Sequence, residues 1–214
     1  MKGTTAGRAD ALVAIYADES CLGNGREGTN PGGAGVLLEF RQRESMPLVR
    51  RDLWVSEPAT TNNRMALRSV IEAMTALSRK GHRFRVIFTT DSRYIVDGMT
   101  QWVHDWARRG WSRKSGPIEN LELWRQAVTA ASAHAVLWRW VRGHAGHAQN
   151  EYANDLAVRA AGAQSSSDGL VESGFDAWLA ERSSLARPMA LEPFPDEAIF
   201  RASRTLPTPH PASP

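Results

Sequence analysis

Ala11 to Asp18 is a short apolar run closed by a carboxylate and followed by a Gly-rich turn, Gly23 to Gly35, a pattern that predicts a strand and then a loop. Ala34 to Phe40 and Leu48 to Ser56 predict two further strands, separated by the charged, Pro-bearing turn Arg41 to Pro47, so an antiparallel meander is expected. The period then changes. From Thr61 to Ser78 the apolar residues Leu67, Val70, Ile71, Met74 and Leu77 recur at three and four, the spacing of an amphipathic helix, with Thr60 or Thr61 as its cap. Phe84 to Thr90 predicts a fourth strand that ends at Asp91 and leads into a short helix through Val96. A Trp- and Arg-rich segment, Gln101 to Lys114, precedes a helix marked by Ile118, Leu121, Trp124 and Val128. A fifth strand, Val136 to Val141, and a last helix, Ala148 to Ala161, follow. Three strands in series and then strands alternating with helices imply a mixed sheet with helices packed on it.

Length and composition fit one domain with a tail: 214 residues, 42% hydrophobic and 23% charged. No apolar run reaches the roughly 18 residues of a membrane helix, and the polar leader, residues 1–10, lacks a signal peptide's apolar region, so a cytoplasmic protein is expected. Cys21 is the only cysteine, which excludes an intrachain disulfide and a zinc site built on paired thiolates. From Gln164 onward four arginines face seven carboxylates, a net −3, which leaves +6 on the remainder. A basic body suits a polyanionic partner. Seven of the 11 prolines also lie beyond Gln164, so residues 164–214 read as a tail, disordered in part, within which Phe175 to Leu185 could form one helix and dock on the body.

Four segments carry a resemblance: IYADESCLGNG from Ile15, TTNNRMAL from Thr60, FTTDSRYI from Phe88 and WVRGHAGHAQNEYANDLA from Trp140. In that order they resemble type 1 ribonuclease H of the bacterial kind with a basic protrusion, over Ala11 to Ala163. The resemblance implies an α/β ribonuclease H-like fold over residues 11–163, a five-stranded mixed sheet whose first three strands are antiparallel, flanked by helices. It also implies Mg²⁺-dependent cutting of the RNA strand of an RNA–DNA hybrid, with Mn²⁺ as a possible substitute, by a monomer that has no membrane partner. Two hard cations need several converging carboxylates. Of the family's four, Asp18 and Asp91 are present, whereas Ala66 and Asn154 stand where a glutamate and an aspartate are expected. Metal ligands are then Asp18, Asp91 and, through a weaker amide oxygen, Asn154. Among possible substitutes Asp155 is rotated by about 100° from Asn154 on a helix and Glu72 lies nearly two turns beyond Ala66. Glu19 replaces a customary glycine, and the sequence does not fix its direction.

The same resemblance assigns the nucleic-acid contacts. Asn62 and Asn63 match paired amides that read base edges, and Thr61 a phosphate contact at a helix N-terminus. Cys21 and Asn24 occupy positions near the RNA 2′-hydroxyls, although the Gly-rich loop is four residues longer than usual and Asn30 could be the aligned amide instead. Ser92 and Arg93 follow the third acid. Arg108, Arg109, Arg113 and Lys114 supply phosphate neutralisation in the protrusion, and Trp102, Trp106 and Trp111 flat surfaces for sugar or base, although Trp102 and Trp106, four residues apart, also read as core or helix anchors. His144 matches a loop histidine beside the family's acids, placed to shuttle protons or assist product departure. With two of four acids replaced, binding of hybrids with weak or absent cleavage is expected, the alternative being a non-catalytic hybrid-binding module.

Overall fold

The computed structural model describes residues 10–23, 30–41, 45–79, 81–183 and 189–208. Its centre is β1 (Leu12–Cys21), which pairs antiparallel with β2 (Gly32–Phe40) and parallel with β4 (Arg85–Thr90). β2 pairs antiparallel with β3 (Val49–Glu57), and β4 parallel with β5 (Ala135–Trp140). The helices are α1 (Asn62–Ser78), α2 (Arg93–Asp97), α3 (Val103–Arg108), α4 (Leu121–Ser132) and α5 (Ala148–Ala163), with a π-helical turn, Gly98–Trp102, joining α2 to α3. This is the expected mixed sheet with one strand more. β6 (Val171–Glu172), from the tail, pairs antiparallel with the edge of β3 and completes the order β5-β4-β1-β2-β3-β6.

Both faces of β1 are covered, which is why it reads as a continuous apolar run. Val13, Ile15 and Ala17 face a core shared with Ala66, Leu67 and Val70 of α1 and with α4; Ala14 and Tyr16 face Tyr152 and Leu156 of α5. Alternation along the strand therefore puts Asp18 on the α5 side and Glu19 on the α1 side. Two glycines bring α5 down onto the sheet. A Cβ on Gly33 would stand 2.2 Å from the Ala157 carbonyl oxygen, and one on Gly35 2.2 Å from that of Ala153.

The described part of the tail docks on the body, and the helix expected over Phe175 to Leu185 forms there. Ser165 to Ser183, with α6 (Phe175–Ser183), and residues 189–208 lie on the body. Phe175 is buried and Trp178, Leu179, Met189 and Phe194 pack against the α5 side of the core, a small set of large apolar side chains that an average over the segment conceals. At its far end the Ser203 amide donates to the Val136 carbonyl at 2.8 Å, so the tail crosses from the β3 edge to the β5 edge.

Candidate active site

Asp18 and Asp91 each follow the last paired residues, Ala17 and Thr90, of the parallel strands β1 and β4, and so arrive at the same rim of the sheet. Glu19 joins them. One carboxylate oxygen from each of Asp18, Glu19 and Asp91 lies within 4.8 Å of the others. The backbone holds the group: the Glu19 amide donates to Asp18 Oδ1 at 2.7 Å, and Asn150 Nδ2 of α5 approaches Asp18 Oδ2 at 3.4 Å. Asn154, one turn after Asn150, shares that helix face. Glu19 resolves the direction that the sequence left open, since it occupies the strand face against which α1 packs. Ala66 is fully buried in the apolar core that also holds Ala17, Leu67 and Val70.

The other two possible substitutes are engaged elsewhere. Asp155 accepts from Trp178 Nε1 at 2.6 Å and from Arg182, which ties α5 to α6. Glu72 pairs with Arg68 one turn before it, at 3.0 Å.

Three carboxylates this close disfavour their own charged forms. Burial first, and then the charge of Asp91, push the Asp18 carboxyl up to about 8, against the pull of the Glu19 amide. Burial followed by the charges of Asp18 and Asp91 raises Glu19 well above the ordinary carboxylate range, with a Ser92 hydrogen bond acting the other way. Asp91 is raised as well, by burial and by Glu151, although its backbone and His144 lower it. A set of oxygen donors with unbalanced negative charge suits a hard divalent cation.

His144 is largely exposed, in a left-handed backbone conformation (φ 52°), with Nδ1 3.9 Å from Glu151 Oε2. Glu151 also accepts from the Gly146 amide at 3.3 Å. The sequence reading singled out neither Glu151 nor Asn150. Their signal was available in the helical spacing of NEYAND, since Asn150 and Asn154 are one turn apart.

The RNase H family profile matches residues 10–162 of this chain. The chain belongs to the ribonuclease H family. This is a family of divalent-metal-dependent enzymes that bind RNA–DNA hybrids and cleave their RNA. The Parvibaculum lavamentivorans ribonuclease H is 44% identical over 147 residues, 68% of this chain and 89% of that protein. The Erythrobacter litoralis ribonuclease H is 46% identical over 154 residues, 72% of this chain and 98% of that protein. Among solved structures LC9-RNase H1, described as a type 1 RNase H with the type 2 active-site motif, is 68% identical. It superimposes with a TM-score of 0.91 over 98% of this chain and 100% of that one.

The residues expected from the sequence to contact a hybrid fall into two groups. Thr61 caps α1, its hydroxyl accepting from the Arg64 amide at 3.3 Å, and Asn62 and Asn63 open the helix beside it. Cys21 joins this corner through Sγ, 3.4 Å from the Thr60 carbonyl and 3.7 Å from that of Asn30; Asn24 lies outside the described residues. Ser92 begins α2, and the Arg93 guanidinium lies over the exposed Trp140 ring, 3.9 Å from its centroid. Trp140 Nε1 in turn donates to the Asp91 carbonyl at 2.9 Å. This stack beside the acids was not anticipated from the sequence.

The protrusion is the second group. Arg108, Arg109, Arg113 and Lys114 are exposed, with Arg108 paired to Asp105. Trp111 corrects the sequence reading: at 5% exposure it is a core residue, held at φ 60° with its amide donating to the Trp106 carbonyl at 2.7 Å. Trp102 and Trp106 are half-buried in an aromatic cluster with Tyr94 and Trp124, which accounts for their spacing by packing. One side of that cluster stays open, in a cavity of about 310 Å³ lined by Tyr94, Trp102, Trp106, Arg113 and Trp124.

Proposed function

We propose that this chain is a catalytically competent, Mg²⁺-dependent endoribonuclease acting on the RNA strand of RNA–DNA hybrids, with Glu19 serving in place of the glutamate that type 1 enzymes carry at position 66. The observation that carries the reading is the convergence of the Asp18, Glu19 and Asp91 carboxylates within 4.8 Å. The expectation of weak or absent cleavage counted two acids; with Glu19 the site has three and the amide of Asn154. The description of LC9-RNase H1, 68% identical, as a type 1 RNase H with the type 2 active-site motif supports reading this chain's departures from the type 1 pattern as an altered site and not as a lost one.

Divalent ions at such a site supply Lewis-acid stabilisation of the phosphodiester and a more acidic water nucleophile. Asp18, Glu19 and Asp91 would hold them, with Asn154 a weaker neutral donor on the α5 side. Mn²⁺, which also takes oxygen ligands, is the expected substitute. His144, exposed and beside Glu151, could receive or return a proton at its imidazole. Asn62, Asn63 and the protrusion arginines hold the hybrid, and phosphate neutralisation makes that binding salt-sensitive. A cytoplasmic monomer is part of the same proposal; Cys21 as the only cysteine fits a reducing compartment.

The test is incubation with an RNA-labelled hybrid and Mg²⁺ or Mn²⁺. The protein should cut the RNA strand, and Glu19→Gln should lower the rate at least ~100-fold while hybrid affinity stays within a few-fold. Binding without cleavage by the unaltered protein at either ion would favour the non-catalytic reading that Ala66 and Asn154 suggest. Unchanged cleavage by Glu19→Gln would remove Glu19 from the site.

A further inference from the structure

The family match ends at residue 162, yet the tail returns to the active-site loop. Ala190 forms a parallel bridge with His147, its amide donating to the Gly146 carbonyl at 2.7 Å and its carbonyl accepting from the Ala148 amide at 3.0 Å. Two residues on, the Glu192 carboxylate receives both Nη atoms of Arg139 and lies 2.8 Å from His147 Nε2. Gln149, fully buried, doubles the link: its Nε2 donates to the Glu192 carbonyl at 2.7 Å and its Oε1 accepts from the Glu192 amide at 3.1 Å. Arg139 also reaches back to Thr89 Oγ1 at 3.0 Å, two residues before Asp91.

His147 is where this network meets the catalytic helix. It is the N-cap of α5, and its Nδ1 accepts from the Asn150 amide at 3.3 Å. A backbone amide is always a donor, so Nδ1 must be unprotonated. The ring proton is then on Nε2, where the Glu192 carboxylate accepts it. A carboxylate on one ring nitrogen thereby selects the tautomer whose other nitrogen caps the helix. Asn150, whose amide is capped, is also the residue whose side chain meets Asp18.

We propose that Glu192 is a positioning residue: by fixing the His147 tautomer it sets the first turn of α5, and with it the Asn150 and Asn154 face that meets Asp18. The tail over residues 189–194 is a strap that orders the metal-binding rim from outside the family domain. Glu192 touches neither substrate nor reacting atoms, and the hybrid-binding corner at Thr61 to Asn63 and the protrusion lie on other elements. Its loss should therefore act on turnover and not on hybrid affinity. The inference rests on the cleavage reading above.

Three variants test it. Glu192→Ala should lower kcat about 10-fold, the scale of outer-shell losses, with KM for the hybrid within two-fold. Glu192→Gln, which keeps an acceptor for His147, should recover most of that loss. His147→Asn supplies a cap that needs no tautomer, so adding Glu192→Ala to it should cost no further kcat, a coupling read as a double-mutant cycle. Hydrogen exchange at the Asn150 amide gives a readout without activity: it should quicken in Glu192→Ala and not in Glu192→Gln. A Glu192→Ala protein with lower Tm but unchanged kcat and Asn150 exchange would overturn the proposal, as would equal losses with and without His147. If Glu192→Ala does not fold, the Gln variant and the His147→Asn pair decide the matter alone. If the unaltered protein cleaves nothing, the functional reading has failed, and the exchange measurement still decides the role of Glu192.

Discussion

Gly143 faces Asp91 so closely that a Cβ at position 143 would stand 2.0 Å from Asp91 Oδ2. The glycine is required by space and not by backbone angle, since its neighbour His144 and not Gly143 takes the left-handed conformation. Gly143→Ala would leave the loop able to form but would drive the Asp91 carboxylate away from Asp18 and Glu19. Displacement of a catalytic group by about 1 Å is worth roughly 100-fold in rate. A fall in kcat of that order, with Tm changed by only a few degrees, is expected from steady-state cleavage and thermal melts. Unimpaired cleavage would mean that Asp91 works equally well from another rotamer.

Position 66 is the second test. Ala66 is fully buried among apolar side chains, and Glu19 approaches from the strand facing α1. Ala66→Glu alone would add a fourth acid to a space already occupied, and a buried carboxyl lacking a partner destabilises by about 1–3 kcal/mol. It should lower Tm and give no gain in kcat. The exchange Glu19→Gly with Ala66→Glu should recover part of the cleavage that Glu19→Gly loses. A gain from Ala66→Glu by itself, with stability intact, would show that Glu19 is not the substitute for that side chain.

Much of the fold was legible because periodicity reports burial: strands β1 to β5 and helices α1, α2, α4 and α5 follow it to within a few residues, whereas α3 and the π-helical turn before it had no predicted counterpart. The direction of Glu19 was not legible. Alternation along β1 is masked by burial on both faces, so nothing local distinguishes the α1 side from the α5 side. Asp155 was legible as a poor substitute through helical rotation alone, and its bonds to Trp178 and Arg182 agree. In the tail the docked helix α6 was legible from Phe175, Trp178 and Leu179, whereas the course of residues 189–208 was hidden for a different reason. Its anchors are single long-range pairs, Glu192 with Arg139 and Ser203 with Val136, that leave no periodic trace.

Packing of α5 on the sheet depends on Gly35, where a Cβ would lie 2.2 Å from the Ala153 carbonyl oxygen and 2.6 Å from the Ala157 amide nitrogen. Backbone cannot move aside as a side-chain tip can. Gly35→Ala should therefore destabilise by about 1–3 kcal/mol, the range for overpacked cores, which lowers Tm by several degrees in a chain of this size. It should also lower kcat, because α5 carries Asn150 and Asn154 against Asp18, the strand partner of Gly35. Thermal melts paired with cleavage rates would check both; a fully stable variant would mean that helix and sheet can separate without loss.

The strap predicts how stability depends on acid. Burial alone would raise the Glu192 carboxyl, but hydrogen bonds from His147 and Arg139, and the charge of Arg139, outweigh it and hold it down at about 2 against an ordinary 4.5. A depressed folded-state value means that the ionised form is stabilised by folding. Its contribution is therefore complete above the ordinary value and is lost as pH falls from about 4.5 toward 2. The shift corresponds to at most on the order of 3 kcal/mol. Denaturant unfolding of the unaltered protein and of Glu192→Gln should differ most near pH ~6 and converge toward pH ~2, where both carry a neutral side chain at this position. A gap that stayed constant across that window would show that shape, and not charge, holds the strap.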